Sequence, residues 1–122
     1  MKRKIIIQTA ILTENELILE TDEFINGLIP GEQILVDSDN SAFIYLMEDQ
    51  NDYTYIVLSE NLWPYLKTAN EKKLPLLVKS NQEQIELISF LEELEYILSN
   101  IKGNSNYGDE LVTKVEEFFL SV

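Results

Sequence analysis

The residues with the most chemical potential in this chain are its carboxylates. Asp37-Ser38-Asp39-Asn40-Ser41 followed by Glu48 places Asp, Asp, Ser and Glu at positions 1, 3, 5 and 12 of a calcium-loop template. Position 6 of that template takes glycine for a sharp turn, and Ala42 stands there instead. Residues 42–47 read as a strand, not a loop, so Asp37, Asp39 and Glu48 are held as a weak cation candidate. A polar turn between strands is the plainer account, since Asp and Asn tolerate left-handed backbone. Carboxylate pairs for acid–base work are available everywhere, but nothing selects one pair, and no nucleophile–base set accompanies them.

Other chemistry is removed by composition. The 122 residues include no cysteine and no histidine, which excludes disulfides, thiolate ligands, a cysteine nucleophile and an imidazole acid or base. No cofactor motif is present. The segment Gly103-Asn104-Ser105-Asn106-Tyr107-Gly108 precedes a helix and could offer free N–H groups to an anion. Asp109 and Glu110 already occupy that helix start, and a turn set by glycine and asparagine geometry is the simpler account.

Net charge is −13, from 22 acidic and 9 basic residues. No Lys or Arg falls between Ile5 and Leu66, whereas Lys67, Lys72, Lys73 and Lys79 form a basic island around Glu71. A surface this negative repels phosphate backbones and anionic lipid, so direct nucleic-acid or membrane binding is not expected. The opening Met1-Lys2-Arg3-Lys4-Ile5-Ile6-Ile7 imitates a signal peptide, but Gln8 and Thr9 interrupt it and no small-residue cleavage site follows. No window is long enough to span a membrane, and a cytoplasmic protein is expected.

Aromatic side chains are the remaining candidates. Tyr45, Tyr53, Tyr55, Trp63 and Tyr65 could form a recognition surface, although aromatics on central strands more often fill a core. Trp63, beside Pro64 at a helix start, is expected at a rim where indole makes contacts, with Tyr65 and Tyr107 as further partner-contact candidates.

These residues need elements to hold them. Ser89 and Glu92 have capping-box spacing, and Leu91, Leu94, Leu98 and Ile101 then recur on one helix face, which predicts a helix over about 90–102 ended by Gly103. Leu111, Val115, Phe118 and Val122, with Val112 and Phe119 beside them, predict a second helix capped by Asn106. Upstream, Ile5–Ile11 alternates as a strand with Ile6 and Leu12 out of phase, and Leu17 and Leu19 answer it in a hairpin. Asn26-Gly27 and Pro30-Gly31 mark Phe24–Glu32 as loop or irregular edge, and Gln33–Val36 as a short strand.

Ala42–Met47 and Tyr53–Leu58 are apolar on both faces, which places them at a sheet centre with material packed over each side. A short helix near 60–69 follows, with Leu62, Tyr65, Leu66 and Ala69 inward. Leu74–Lys79, led by Pro75, and a strand through Ile85 and Leu87 complete the β portion. The expected architecture is α+β in a single domain, residues 1–122. Residues 1–88 would form a largely antiparallel, curved or barrel-like sheet with one short inserted helix, and 89–122 a helical hairpin.

Two stretches resemble a small uncharacterised Bacillales family typified by YjbL. One is Ile34-Leu35-Val36-Asp37-Ser38-Asp39-Asn40 with the Ala42–Met47 strand. The other runs from Glu95-Tyr96-Ile97-Leu98 through Asn100-Ile101-Lys102-Gly103 to Tyr107-Gly108-Asp109-Glu110-Leu111-Val112-Thr113. The resemblance spans nearly the whole chain and implies a cytosolic Gram-positive origin; it brings no activity, cofactor or catalytic residue. A non-enzymatic cytosolic protein-interaction or regulatory module is therefore expected, binding another protein or itself through a partly apolar face ringed with acid. One alternative is an acidic decoy that imitates nucleic acid in the basic groove of another protein. Another is a weak carboxylate-based hydrolase, which would need a cleft holding an acid of raised pKa.

Overall fold

The computed structural model describes residues 3–50 and 52–120. Eight strands among them form two separate four-stranded sheets. The first contains β1 (Arg3–Ile6), β4 (Ile29–Asp37), β5 (Ala42–Asp49) and β6 (Asp52–Leu58), ordered β1-β6-β5-β4. The second contains β2 (Thr9–Leu12), β3 (Leu17–Glu20), β7 (Leu76–Ser80) and β8 (Glu83–Glu86), ordered β2-β3-β7-β8. Helix α1 (Trp63–Lys72) lies between β6 and β7 in sequence, and α2 (Phe90–Ile101) and α3 (Asp109–Val115) follow β8.

The class is α+β, but the single curved or barrel-like sheet expected from sequence is not what forms. The predicted first strand breaks at Ile7-Gln8. Ile7 is buried, the Gln8 N–H donates to the Glu20 carbonyl at 2.9 Å, and the chain passes there from one sheet to the other. Pairing is largely antiparallel, as expected, but both sheets are mixed, because β1 runs parallel to β6 and β3 parallel to β7. Hairpin-length connections dictate antiparallel pairing only between neighbours in sequence. Both parallel pairs join strands far apart in the chain.

The predicted hairpins β2–β3 and β5–β6 are present, and β5 and β6 hold the interior positions of the first sheet. Asn51, between them in sequence and expected in a turn, lies outside the described residues. Strand β4 starts earlier than expected, because Pro30-Gly31 forms a bulge within it and not a turn before it. A Cβ on Gly31 would meet the Leu46 carbonyl oxygen at 2.7 Å, so only glycine lets the two backbones approach there. Pro75 does precede a strand, yet β7 is interior, between β3 and β8.

The core is shared by the inner faces of both sheets and the helices. Ile5, Phe43, Tyr45, Met47, Ile56 and Leu58 contribute from the first sheet, and Leu17, Leu19, Leu76 and Val78 from the second. Leu94, Leu98 and Ile101 of α2 join Leu111, Val112 and Val115 of α3 in the same cluster, with Leu91, Phe118 and Phe119 packed against it. The helical stripes read from spacing are thus the buried ones. Val122, assigned to the second stripe, lies outside the described residues.

Three helix details differ from expectation. Ser89 is left-handed (φ 64°) and makes no cap, because its hydroxyl donates to Glu32 Oε1 at 2.9 Å; the capping box does not form. Helix α3 is preceded by a 3-10 turn, Ser105–Tyr107, so its N-cap is Gly108 and not Asn106. After Val115 the helix widens into a π turn, Glu116–Leu120. That turn keeps Phe119 against Phe43 and Trp63, at ring separations of 5.9 and 5.4 Å.

A part-buried polar tie joins the first sheet to the segment that leads into α2. The Tyr45 hydroxyl donates to the Ile88 carbonyl at 2.6 Å and accepts from the Glu32 N–H at 3.3 Å. Burial pushes its pKa up to about 12, with the Glu32, Glu86 and Glu93 carboxylates acting in the same direction against the Glu32 backbone hydrogen bond.

Candidate functional site

Side chains alternate across a strand, so the pairing register shows which residues share the outer face of the first sheet. Leu35 pairs with Ile44, Ile44 with Val57, and Val57 with Ile6, giving an unbroken apolar row across all four strands. The next row is Leu46, Tyr55 and Lys4, and the third is Ile29, Glu48 and Tyr53. Ala42, Ile44 and Leu46 are buried, yet none belongs to the core cluster that takes in Phe43, Tyr45 and Met47 from the same strand. In the ladder Ile44 is flanked by Leu35 and Val57, and Leu46 pairs with Tyr55.

Helical aromatics meet β5 on its other side: Trp63 and Phe119 at Phe43, and Phe90 at Tyr45. The outer face is left apolar and open, with Ile6 51%, Leu35 36% and Ile29 61% exposed. A hollow of about 330 Å³ lies in it, floored by Ile6, Ala42, Ile44 and Val57 and edged by Lys4 and Asp37.

Carboxylates stand at both ends of β5. Asp37 and Asp39 flank the turn into the strand, where Asp37 accepts from the Asn40 N–H (3.4 Å) and Nδ2 (2.9 Å). Glu48 and Asp49 close the strand. Among the described residues none of these four acids makes an ion pair. Asp37 pairs with Ala42 in the ladder, so Glu48 lies six residues further along β5, roughly 20 Å away at ~3.3 Å per residue. An ion cannot bridge that span; the calcium-loop spacing is interrupted by the strand itself. No group of three or more Asp, Glu, His or Cys side chains is placed to hold a metal among the described residues.

The aromatic candidates separate. Trp63 is 1% exposed and fills the core between Phe43 and Phe119, so the rim position expected for it is wrong. A proline in the first turn let the helix start inside the core, and the indole N–H there meets no acceptor among the described residues. Tyr65, assigned to the inner stripe as well as to contact, points outward at 38% exposure. Tyr107 is half-buried against the core. The structure therefore does not gather Trp63, Tyr65 and Tyr107 into one surface. Tyr53 and Tyr55 are the aromatics on the open sheet face.

Elsewhere, polar groups are largely engaged with one another. The Gly103 N–H donates to Glu116 Oε2 at 2.8 Å, and Asp109 and Glu116 line the hollow beside that turn, which opposes an anion there. Lys114 Nζ donates to Ser41 Oγ (3.1 Å) and Glu60 Oε1 (3.2 Å) and lies 3.4 Å from Glu110 Oε1; its pKa is raised chiefly by the Glu60 hydrogen bond. In the polar hollow of the second sheet, Glu20 Oε1 accepts from Thr9 Oγ1 at 2.7 Å. In these two hollows, Glu20 beside Asp22 and Glu116 beside Asp109, one carboxylate is thus already occupied.

The model of a family of unknown function, UPF0738, matches residues 5–119. The chain belongs to that family. It is 40% identical to UPF0738 protein YjbL of Bacillus subtilis over 122 residues, covering 98% of this chain and all of the relative. A Bacillus velezensis relative, RBAM_011600, is also 40% identical over the same shares, and BCE33L1094 of Bacillus cereus is 38% identical over 98% of this chain and all of its own length. The family resemblance read from the Ile34–Met47 and Glu95–Thr113 stretches is correct. No solved structure matches the chain. No helix among the described residues is long and apolar enough to cross a membrane.

Proposed function

We propose that this family member is a non-enzymatic cytosolic protein-interaction module that docks a partner on the outer face of its first sheet. The observation that supports this most is the Leu35–Ile44–Val57–Ile6 row, apolar across four strands yet outside the core cluster, with Ile6 and Leu35 exposed at its ends. Contiguous apolar patches of this kind on soluble domains mark interaction sites, whereas scattered exposed hydrophobes do not.

Affinity capture from bacterial cytosol tests the proposal, using the wild type and an Ile6→Glu/Leu35→Glu double variant at about 0.1 M and about 0.5 M salt. Docking through the face predicts capture that survives the higher salt and disappears in the variant. The acidic-decoy alternative predicts the reverse, loss with salt and indifference to the two substitutions. No capture under any condition counts against both.

A further inference from the structure

We infer that the occupant of this face is a basic protein segment, apolar at its centre and carrying Lys or Arg towards both ends, and not a second copy of this chain. The inference rests on the docking role proposed above and adds the chemistry of the partner. The face has acids at its ends: Asp37 and the turn residue Asp39 where β5 begins, and Glu48 where it finishes, with Asp49 next to it at the strand end; among the described residues Lys4 is the only cation in the three rows. None of those four acids is neutralised by an ion pair among the described residues.

Face-to-face pairing of two copies would bring two such acid sets onto one interface, between chains that each carry a net charge of −13. Like-charge juxtaposition of that kind costs several kcal/mol and selects against the pairing. A basic segment meets the opposite condition. The acid pairs are roughly 20 Å apart, a span covered by about six residues of strand or about thirteen of helix. Its cations should therefore recur at that separation. Between them, the 330 Å³ hollow floored by Ile44 and Val57 and edged by Asp37 suits an aliphatic side chain, or the stem of a Lys or Arg whose head reaches the carboxylate.

Site-specific photo-cross-linking in living cells tests this. A benzophenone amino acid replaces Ile6 in the full chain, with a second protein carrying it at Ile11 on the other sheet as the control. A protein carrying it at Leu35 serves if the first does not fold by circular dichroism. The expected result is a cross-link from the first sheet, absent at Ile11, to a segment of net positive charge with cations on both sides of the linked residue. The association rate of the identified partner should then fall about 3- to 10-fold for Asp39→Asn/Glu48→Gln/Asp49→Asn, with dissociation little changed, as rim charges act mainly on encounter. A cross-link to a second copy, or to an acidic or neutral segment, overturns the inference and leaves the docking face standing. Equal or no cross-linking from the two sheets overturns the docking face, and the inference with it.

Discussion

The two sheets each have four strands and one parallel pair, yet their outward faces are built differently. In the first, the row Leu35–Ile44–Val57–Ile6 is apolar from edge to edge, and the next adds Leu46 and Tyr55 before meeting Lys4. In the second, Ile11, Ile18 and Leu77 end at Glu86, and the neighbouring row is Thr9, Glu20, Lys79 and Gln84. The second face alternates as a solvent-facing surface does. The first carries the composition of a surface that packs against something, which is why a partner is proposed for it.

That contrast can be broken or sharpened by substitution. The largest stability effect is expected on the inner side of β5. Phe43→Ala removes a ring packed between Trp63 and Phe119 and should lower unfolding free energy by about 3–5 kcal/mol in a urea melt. Ile6→Glu, on the opposite side of the same sheet, should stay within about 0.5 kcal/mol of wild type while abolishing capture. A large loss of stability from Ile6→Glu would mean that the outer face is covered by the chain itself.

The next effect is a pH dependence confined to the first sheet. Tyr45 is protonated in both states below its ordinary pKa of 10, so its contribution is fully present there. Between pH 10 and about 12 the unfolded chain loses the proton while the folded chain keeps it, and stability falls as pH rises. The integrated loss is about 2–3 kcal/mol, and Tyr45→Phe should flatten that part of a stability–pH curve. The smallest effect belongs to the second sheet. Lys79→Glu sets like charges side by side with Glu20 and should cost about 0.2–1 kcal/mol without altering capture.

Much of this architecture was legible in residue order, and the failures have identifiable causes. Helical spacing located the buried sides of α2 and α3 because Leu94, Leu98, Leu111 and Val115 face the core under a single period. Local cap signals were weaker guides: Ser89 had a better partner in Glu32, 57 residues away, than in its own helix. Parallel pairing and the split into two sheets depend on contacts between distant strands, which no local pattern encodes. The two-sided apolarity of Ala42–Met47 was read correctly as buried on both faces, but Ile44 and Leu46 lie outside the core cluster that takes in Phe43, Tyr45 and Met47. The signal for the open face was present in Ile6, the out-of-phase isoleucine of the first strand. Its meaning emerged only once Val57 and Ile44 were found beside it.

Hydroxyl-radical footprinting of the full chain, alone and in cytosolic extract, tests the central claim most directly. Oxidation of Ile6, Leu35 and Ile29 should be strong in buffer and suppressed in extract, while Ile11 and Tyr65 react equally in both. Protection of Ile6 and Leu35 in the isolated monomer, or unchanged reactivity in extract, would contradict it.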